Sequence, residues 1–279
     1  MKSKIFFAAC SISAVIAFCS LAALMFFILK NGLSVISWEF ITQVPRQGMT
    51  AGGIAPAIIG SFYLSVFTIL FSLPLGLSCA IYLNEYSPKG YIADLIKMGI
   101  NNLAGVPSVV FGLFGLAVFV KFFGFGISIL SGSLTLSILV LPSIIASSQE
   151  ALSAVPASLR EASLALGAGT WQTIRKTVLP AALPGILTGI ILSIGRAAGE
   201  TAPIIFTAAV FYKRGYPTGI MSEVMALPYH IYALMSEGTD PEKQTAIAYG
   251  CALILLLLTA LLTSLAVIIR NKNQNAIRN

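Results

Sequence analysis

The chain has 279 residues, of which 57% are hydrophobic and only 10% are charged, and its formal net charge is +7. So large an apolar fraction excludes an ordinary water-soluble domain and makes the lipid bilayer the natural solvent. The basic residues are scattered through short loops between apolar runs, so the positive charge does not indicate nucleic-acid binding. It is typical of the Lys and Arg residues that orient a membrane protein.

Long uncharged runs predict six transmembrane helices, because each run is long enough to cross the hydrocarbon core. The first run follows Lys2 and Lys4 and is too long for a secretory signal, so we predict an uncleaved helix. The predicted spans lie within residues 5–29, 47–84, 98–120, 122–149, 183–212 and 245–269.

The runs predict one transmembrane domain over residues 51–270. A first helix with its external connection (1–50) precedes this domain, and a tail (271–279) follows it. With the amino terminus inside, ten Lys and Arg residues lie on the cytoplasmic side and six on the outer side. This excess predicts a multi-pass protein of the cell (inner or plasma) membrane with both termini in the cytoplasm.

The residue types that usually carry catalysis or metal binding show no such pattern here. The four cysteines lie inside apolar runs, which predicts neither a disulfide framework nor a metal site. The single histidine, His230, has no adjacent co-ligands, and we interpret residues 227–234 around it as an interfacial amphipathic helix of the outer segment. No nucleophile and base can be grouped on one side, so neither catalytic nor metal-binding residues are expected.

Residues 150–180, between the fourth and fifth spans, are predicted to form two short cytoplasmic helices around a bend. Pro156 suits a helix start, and Gly167 suits the turn that ends the first helix. Thr170 is predicted to cap a second helix that ends before Pro180. On this chemistry alone, the segment is equally an ordinary loop that joins two spans.

The residue order of this segment resembles the coupling loop of binding-protein-dependent importer permeases. That pattern is Glu-Ala-Ala, three residues, Gly, nine residues, Ile, one residue and Leu-Pro. Ser163 and Thr177 depart from it but keep small or branched character. The matching residues are Glu161, Ala162, Gly167, Leu179 and Pro180.

This resemblance implies an all-α membrane protein with six transmembrane helices and the type I ABC importer permease fold. Its cytoplasmic coupling helix would dock on an ATP-hydrolysing subunit, with Glu161, Ala162 and Gly167 in the contact. The sequence contains no Gly-x-x-x-x-Gly-Lys-Ser/Thr loop. ATP and Mg²⁺ are therefore expected on that separate subunit, with no cofactor on this chain, and the chain is not expected to be an enzyme.

Arg196 and Glu200 are the ionisable residues predicted at membrane depth. Their spacing of four places both on one face of a predicted helix. A charge near the bilayer centre costs roughly 2.5–3.5 kcal/mol, so such residues normally face the bundle interior or a water-filled path.

Two interpretations of this pair stay open. In the first, the charges neutralise each other and fix helix packing, with Gly189, Gly195 and Gly199 allowing close contact. In the second, Arg196 faces the translocation path and binds an anion through its paired donors, Glu200 positions Arg196, and Thr201 adds a hydroxyl donor.

Residues 195–203, Gly-Arg-Ala-Ala-Gly-Glu-Thr-Ala-Pro, resemble the fifth-span signature of the PstA-type permease family of phosphate importers. Further matches lie at residues 52–58, 81–86 and 102–108, where the last run is expected to open the third span. The resemblance implies four kinds of partner beside membrane lipid. They are a homologous second permease, two copies of an ATP-binding subunit, a periplasmic or extracellular phosphate-binding protein, and phosphate itself.

The predicted function is therefore a permease subunit that forms part of the path of an ATP-driven importer of inorganic phosphate across the bacterial inner membrane. One alternative is a permease for another oxyanion, such as sulfate or molybdate, which Arg196 would serve equally well. Another is a secondary transporter or channel that works without ATP. Such proteins often show internal repeats and broken midplane helices, and neither is clear in this sequence.

Overall fold

The computed structural model shows a helical bundle with one short strand pair. Lys89 and Arg214, two of the basic residues counted for orientation, lie outside the residues that it describes. The described residues are 2–46, 49–86, 90–213, 215–237 and 240–278.

Twelve helices and two strands run through these described ranges. The strands, β1 (Pro45–Arg46) and β2 (Ala51–Gly52), pair antiparallel. Wide π-helical turns extend α3 as far as Tyr86 and α5 as far as Phe122, and a third joins α8 to α9. The helices are α1 (Lys2–Gly32), α2 (Trp38–Thr42), α3 (Ala55–Ile81), α4 (Tyr91–Ala104), α5 (Ser108–Gly115), α6 (Ile129–Ser153), α7 (Ala157–Ala165), α8 (Thr170–Thr173), α9 (Leu179–Gly199), α10 (Ala202–Ile205), α11 (Leu227–Ser236) and α12 (Pro241–Arg278).

The prediction of six spans is confirmed if one bent helix pair counts as a single span. In the described part of the chain, five helical segments are long and apolar enough to cross a membrane. The bent pair, α4 with the α5 segment, supplies the sixth. The five segments are Cys10–Gly32, Ala55–Tyr86, Ile129–Ser153, Thr170–Gly199 and Pro241–Lys272.

The third span is not the single helix predicted over residues 98–120. Tyr91–Ala104 and Ser108–Phe122 meet at 105°. Pro107 lacks a backbone N–H and disfavours helical geometry in the residue before it, so the chain turns between Gly105 and Pro107. The run 102–108, expected to open the third span, lies at this bend instead.

The helices α3, α6 and α9 form the centre of the bundle, and α12 packs beside α9. At its cytoplasmic end, Leu83 of the α3 extension and Leu152 of α6 pack with Val178 and Ile186 of the fifth span, all four nearly inaccessible to solvent. Helix α1 lies against α12, where a side-chain carbon at Gly32 would stand 2.8 Å from the carbonyl oxygen of Tyr249. Within the span Cys10–Gly32, most of the α1 surface is not covered by other described residues.

The structure confirms the first of the two helices that were predicted in the cytoplasmic segment. Helix α7 begins after Pro156, and Gly167 makes the turn with φ +84°, a left-handed conformation that favours glycine. The second predicted helix is wrong, because α8 continues through Ile174–Val178 into α9. Pro180 follows the π-helical turn Ile174–Val178, a local adjustment of the kind that lets a membrane helix accommodate proline. Thr170 follows Gly169 as the first helical residue instead of capping the helix.

Candidate substrate path and coupling segment

The fifth span ends earlier than predicted, and this changes the geometry of the charged pair. Helix α9 stops at Gly199, and Glu200 has extended backbone (φ −72°, ψ 130°). Pro203 lies in the first turn of the short helix α10 (Ala202–Ile205) and has no N–H with which to continue α9. The prediction that Arg196 and Glu200 share one helix face is therefore wrong, because only Arg196 is helical.

Arg196 and Glu200 still approach each other, but loosely. Nε of Arg196 lies 3.8 Å from Oε1 of Glu200, which is beyond hydrogen-bond distance. Nη1 of Arg196 donates a long hydrogen bond of 3.4 Å to Oγ of Ser143 on α6. The Arg196 side chain is 48% exposed, whereas that of Glu200 is 19% exposed. The guanidinium, which has five N–H donors, thus keeps unused capacity toward the described residues.

Arg196 lies on a face of α9 that the rest of the described chain leaves open. Leu192, Gly195 and Gly199 share its exposure and follow the spacing of one helix face. A side-chain carbon at Gly195 or Gly199 would meet nothing within 4 Å among the described residues. Among the described residues of this chain, these two glycines therefore make no close-packed contact.

Close packing through small residues is present on a neighbouring face of α9, where this helix meets α6. A side-chain carbon at Gly189 would overlap the Ser147 hydroxyl, and one at Gly185 would lie 2.6 Å from Cβ of Ala151. Small residues thus bring α6 and α9 together, as in other membrane helix pairs. Because the Gly185 and Gly189 face of α9 packs on α6, the face that carries Arg196 points mostly away from α6.

Glu200 points toward the inside of the bundle at the junction of α9 and α10. With Ser61 and Ser65 of α3, it lines a cavity of about 10 Å³, close to the least volume that holds one water. Thr201 follows it as a half-buried residue whose carbonyl accepts a hydrogen bond from Ile205 N. The three predicted path residues therefore lie close together at this junction. The side chain of Arg196 is the most exposed of the three.

The coupling segment presents an exposed surface at the cytoplasmic end of the bundle. Glu161, Ala162 and Gly167, the three predicted contact residues, are all exposed. Leu166 beside them is 90% exposed and Trp171 is 56% exposed. An apolar surface of this kind next to a charged group is typical of a protein-binding site.

Sequence reasoning missed the residues that hold this segment in place. Arg160, adjacent to Glu161, forms an ion pair with Glu85 at 2.7 Å, although the two lie 75 positions apart. The Arg160 guanidinium also donates to the carbonyl oxygens of Leu152 and Val155 at 2.8 and 2.7 Å. Nothing in a single sequence pairs such distant residues, although Glu85 lies in the run 81–86 and Arg160 directly precedes the coupling pattern.

The outer segment contains the predicted helix around His230. Helix α11 packs its buried face on α12 and α3, whereas its position at the membrane interface stays a prediction. His230 is 2% exposed, and burial lowers the pKa of its imidazole to about 4. Its ring centre lies 6.5 Å from that of Phe211. The imidazole is therefore neutral near pH 7 and lines an outer cavity of about 320 Å³.

This arrangement of spans, with an exposed cytoplasmic helix between the fourth and fifth, defines a membrane permease subunit. Residues 72–274 match the family described as binding-protein-dependent transport system inner membrane component, and the chain belongs to that family. It is 34% identical over 248 residues to the probable ABC transporter permease protein YqgI of Bacillus subtilis. That alignment covers 85% of this chain and 84% of YqgI. It is also 32% identical to the phosphate transport system permease protein PstA of Xylella fastidiosa, over 89% of this chain and 86% of that one.

A solved structure confirms the expected fold. The chain superposes with a TM-score of 0.69 on a bacterial ABC transporter involved in the import of the acidic polysaccharide alginate, at 16% identity. The alignment covers 97% of this chain and 96% of the other. This chain therefore has the type I ABC importer permease fold, in keeping with its membership of a family of membrane transport components.

Proposed function

We propose that this chain is the permease subunit that forms part of the translocation path of an ATP-driven importer of inorganic phosphate. The open Arg196 face carries the proposal, because an arginine with unused donors inside a membrane span needs water or an anion beside it. Relatives named as phosphate permeases at 31–38% identity support phosphate as that anion. We further propose that both termini lie in the cytoplasm.

In this proposal Arg196 binds the passing phosphate through paired N–H donors. Glu200, 3.8 Å from Arg196, orients the guanidinium and competes with the anion for it. Thr201 adds a hydroxyl donor where the path leaves α9. Such competition suits transport, because the site must be weak enough to release its ion.

The proposed assembly covers the surfaces that this chain leaves open. A homologous second permease faces α9 and closes the path, and two copies of an ATP-binding subunit bind beneath and hold ATP and Mg²⁺. One copy docks on α7 through Glu161, Ala162 and Gly167, with Leu166 and Trp171 supplying apolar contact. An external phosphate-binding protein delivers the ion to the outer side.

The test is uptake into vesicles that contain the complete complex and its binding protein. Labelled phosphate should accumulate only with ATP, and labelled sulfate or molybdate should not. If sulfate or molybdate accumulates instead, the substrate is wrong, and if uptake proceeds without ATP, the importer proposal fails.

The docking surface is tested in the same vesicles. Glu161→Lys should release or uncouple the ATP-binding subunit, since it reverses a charge on the exposed face of α7. The matched control is Glu242→Lys, an exposed reversal on α12 at the outer side, which should leave ATPase binding and uptake unchanged. Equal loss in both variants would contradict docking on α7.

A further inference from the structure

Arg160 joins three separate elements at the cytoplasmic end of the bundle. It belongs to α7, its Nη2 donates to the carbonyl oxygen of Leu152 in the last turn of α6, and its Nη1 donates to that of Val155 in the turn that follows α6. Its Nε and Nη2 donate to the two carboxylate oxygens of Glu85 at 3.1 and 2.7 Å. This is the bidentate geometry that makes arginine–carboxylate pairs strong and directional.

Glu85 is itself held in place. It lies in the π-helical turn Tyr82–Tyr86 that ends the second span, and its side chain is 9% exposed. Nδ2 of Asn84 donates to Oε1 of Glu85 at 2.7 Å, and the Ser153 hydroxyl donates to Oδ1 of Asn84 at 2.7 Å. Four side chains from α3, α6 and α7 therefore form one network, which we name the Glu85–Arg160 clasp.

The chain connection explains why such a link matters. Helix α7 follows α6 directly and leads through α8 into α9, so a displacement of α7 pulls on the fourth and fifth spans through the backbone. The second span has no such connection to α7, because Glu85 and Arg160 are 75 positions apart. Among the described residues, the clasp is the ion pair that ties α3 to α7.

We propose that Glu85 and Arg160 are positioning residues that carry the movement of α7 to the second span, so that ATP hydrolysis is coupled to transport. This inference rests on the proposed function. When a partner displaces α7, the clasp moves the cytoplasmic end of α3 with α6 and α9 as one body. Without it, only the apolar packing of Leu83 against α6 and the fifth span links α3 to this movement, and more ATP is consumed per phosphate imported.

The burial of the pair supports a mechanical role. The Arg160 and Glu85 side chains are 22% and 9% exposed, whereas those of the ion pair Lys243–Asp240 are 70% and 36% exposed. Exposed pairs of the second kind contribute little. Lys243→Gln at the outer side is therefore the matched control, since it removes an ion pair that spans only three positions.

The experiment measures ATP hydrolysed per phosphate imported in vesicles that hold the complete complex. Glu85→Gln and Arg160→Gln should each raise this ratio about threefold or more, the scale that mutations along a coupling network reach. The double variant should match the single variants, because the two residues act as one unit. Lys243→Gln should keep the wild-type ratio.

An unchanged ratio in assembled Glu85→Gln or Arg160→Gln complexes would overturn the proposal, even if their thermal stability falls. A double variant with twice the effect of each single variant would also overturn it. If these variants do not assemble, Asn84→Ala serves instead, because it removes one hydrogen bond to Glu85 and keeps both charges. It should raise the ratio by a smaller amount, and no rise would contradict the clasp.

The wild type separates this inference from the proposed function. If it imports another anion with ATP, phosphate is the wrong substrate, and the ratio is measured for that anion with the clasp still under test. If its uptake needs no ATP, the importer proposal and the clasp fail together.

Discussion

Two arginines of this chain lie near a glutamate, and their surroundings differ in a way that separates structure from function. At the cytoplasmic end, Arg160 makes four hydrogen bonds, two of them to Glu85, and its side chain is 22% exposed. On α9, Arg196 stands 3.8 Å from Glu200, makes one long hydrogen bond to Ser143, and is 48% exposed.

The difference shows what each guanidinium is available to do. Arg160 uses its N–H donors in hydrogen bonds within the chain, which suits a residue that holds helices together. Arg196 keeps most of its donors free of partners among the described residues, although it lies in a membrane span where an isolated charge is costly. The comparison therefore supports a structural role for Arg160 and the proposed ligand contact for Arg196.

The largest expected effect comes from Arg196→Ala. Phosphate uptake should fall roughly 10- to 100-fold, because a hydrogen bond to a charged group is worth about 1.5–3 kcal/mol. ATP hydrolysis should persist, and the complex should still assemble. The matched control is Arg270→Ala, which removes an arginine of α12 whose Nη1 lies 3.3 Å from Oγ1 of Thr188 on α9. Equal loss of uptake in the control would contradict a special role for Arg196.

His230 extends the comparison to a group that burial keeps uncharged. Its pKa is about 4 in the folded chain and ~6.5 when unfolded, so its contribution to stability is complete above pH 6.5 and is lost as the pH falls toward 4. The free energy of unfolding should drop by up to about 3 kcal/mol over this window. Chemical unfolding of the detergent-solubilised chain at several pH values measures it.

His230→Phe should lack this part of the pH dependence, and an identical pH profile in the variant would contradict the neutral, buried imidazole. The pH range over which His230 titrates also determines the pH at which the arginine variants are compared. Uptake measured at pH 7.5 lies above it, so differences between those variants do not report on His230.

The glycines of α9 test whether the Arg196 face is open. Gly189→Val should destabilise the chain by about 1–3 kcal/mol, because the new side chain overlaps Ser147 in a close-packed contact. Gly195→Val is the matched control on the open face and should cost much less. Unfolding in a denaturing detergent compares the two variants. Equal destabilisation would mean that the chain itself covers the Arg196 face, and the comparison of the two arginines would fail.

The smallest effect is expected for Glu200→Gln. Removing the competing charge should leave phosphate bound longer at Arg196 and slow maximal uptake about two- to fivefold, since a partly exposed ion pair is worth ~0.2–1 kcal/mol. Uptake rates at saturating binding protein measure it. Glu237→Gln, an exposed change on the outer segment, should leave the rate unaltered. Faster uptake in Glu200→Gln would contradict the competing role of Glu200.

The fold was predictable because apolar runs and short motifs are local signals. Hydropathy located the spans, and Pro156 with Gly167 located α7. The bend at Pro107 was missed because the charge-free run continues through it, and an apolar run does not show how a helix breaks. The continuity of α8 and α9 was missed because Pro180 was taken as a stop, although a π-helical turn such as Ile174–Val178 lets a membrane helix accommodate proline.

The candidate site likewise has parts that the sequence predicts and parts that it does not. Arg196 and the exposed residues of α7 were proposed from the sequence, because charge within a span and motif spacing are both visible there, and their roles stay predictions. The end of α9 before Glu200 was missed, since the spacing of four residues indicates one face only while the helix continues. The Arg160–Glu85 pair was out of reach, because it depends on how α3 and α7 pack and not on any periodic pattern.

The most direct test of the account asks whether water reaches position 196. In a complex whose Cys10, Cys19, Cys79 and Cys251 are replaced by alanine, Arg196→Cys is treated with a charged, membrane-impermeant thiol reagent, with and without ATP. Ile190→Cys, on the buried side of the same helix at 8% exposure, is the control. Modification is expected at position 196 and none at position 190. Protection of position 196 under every condition would contradict it.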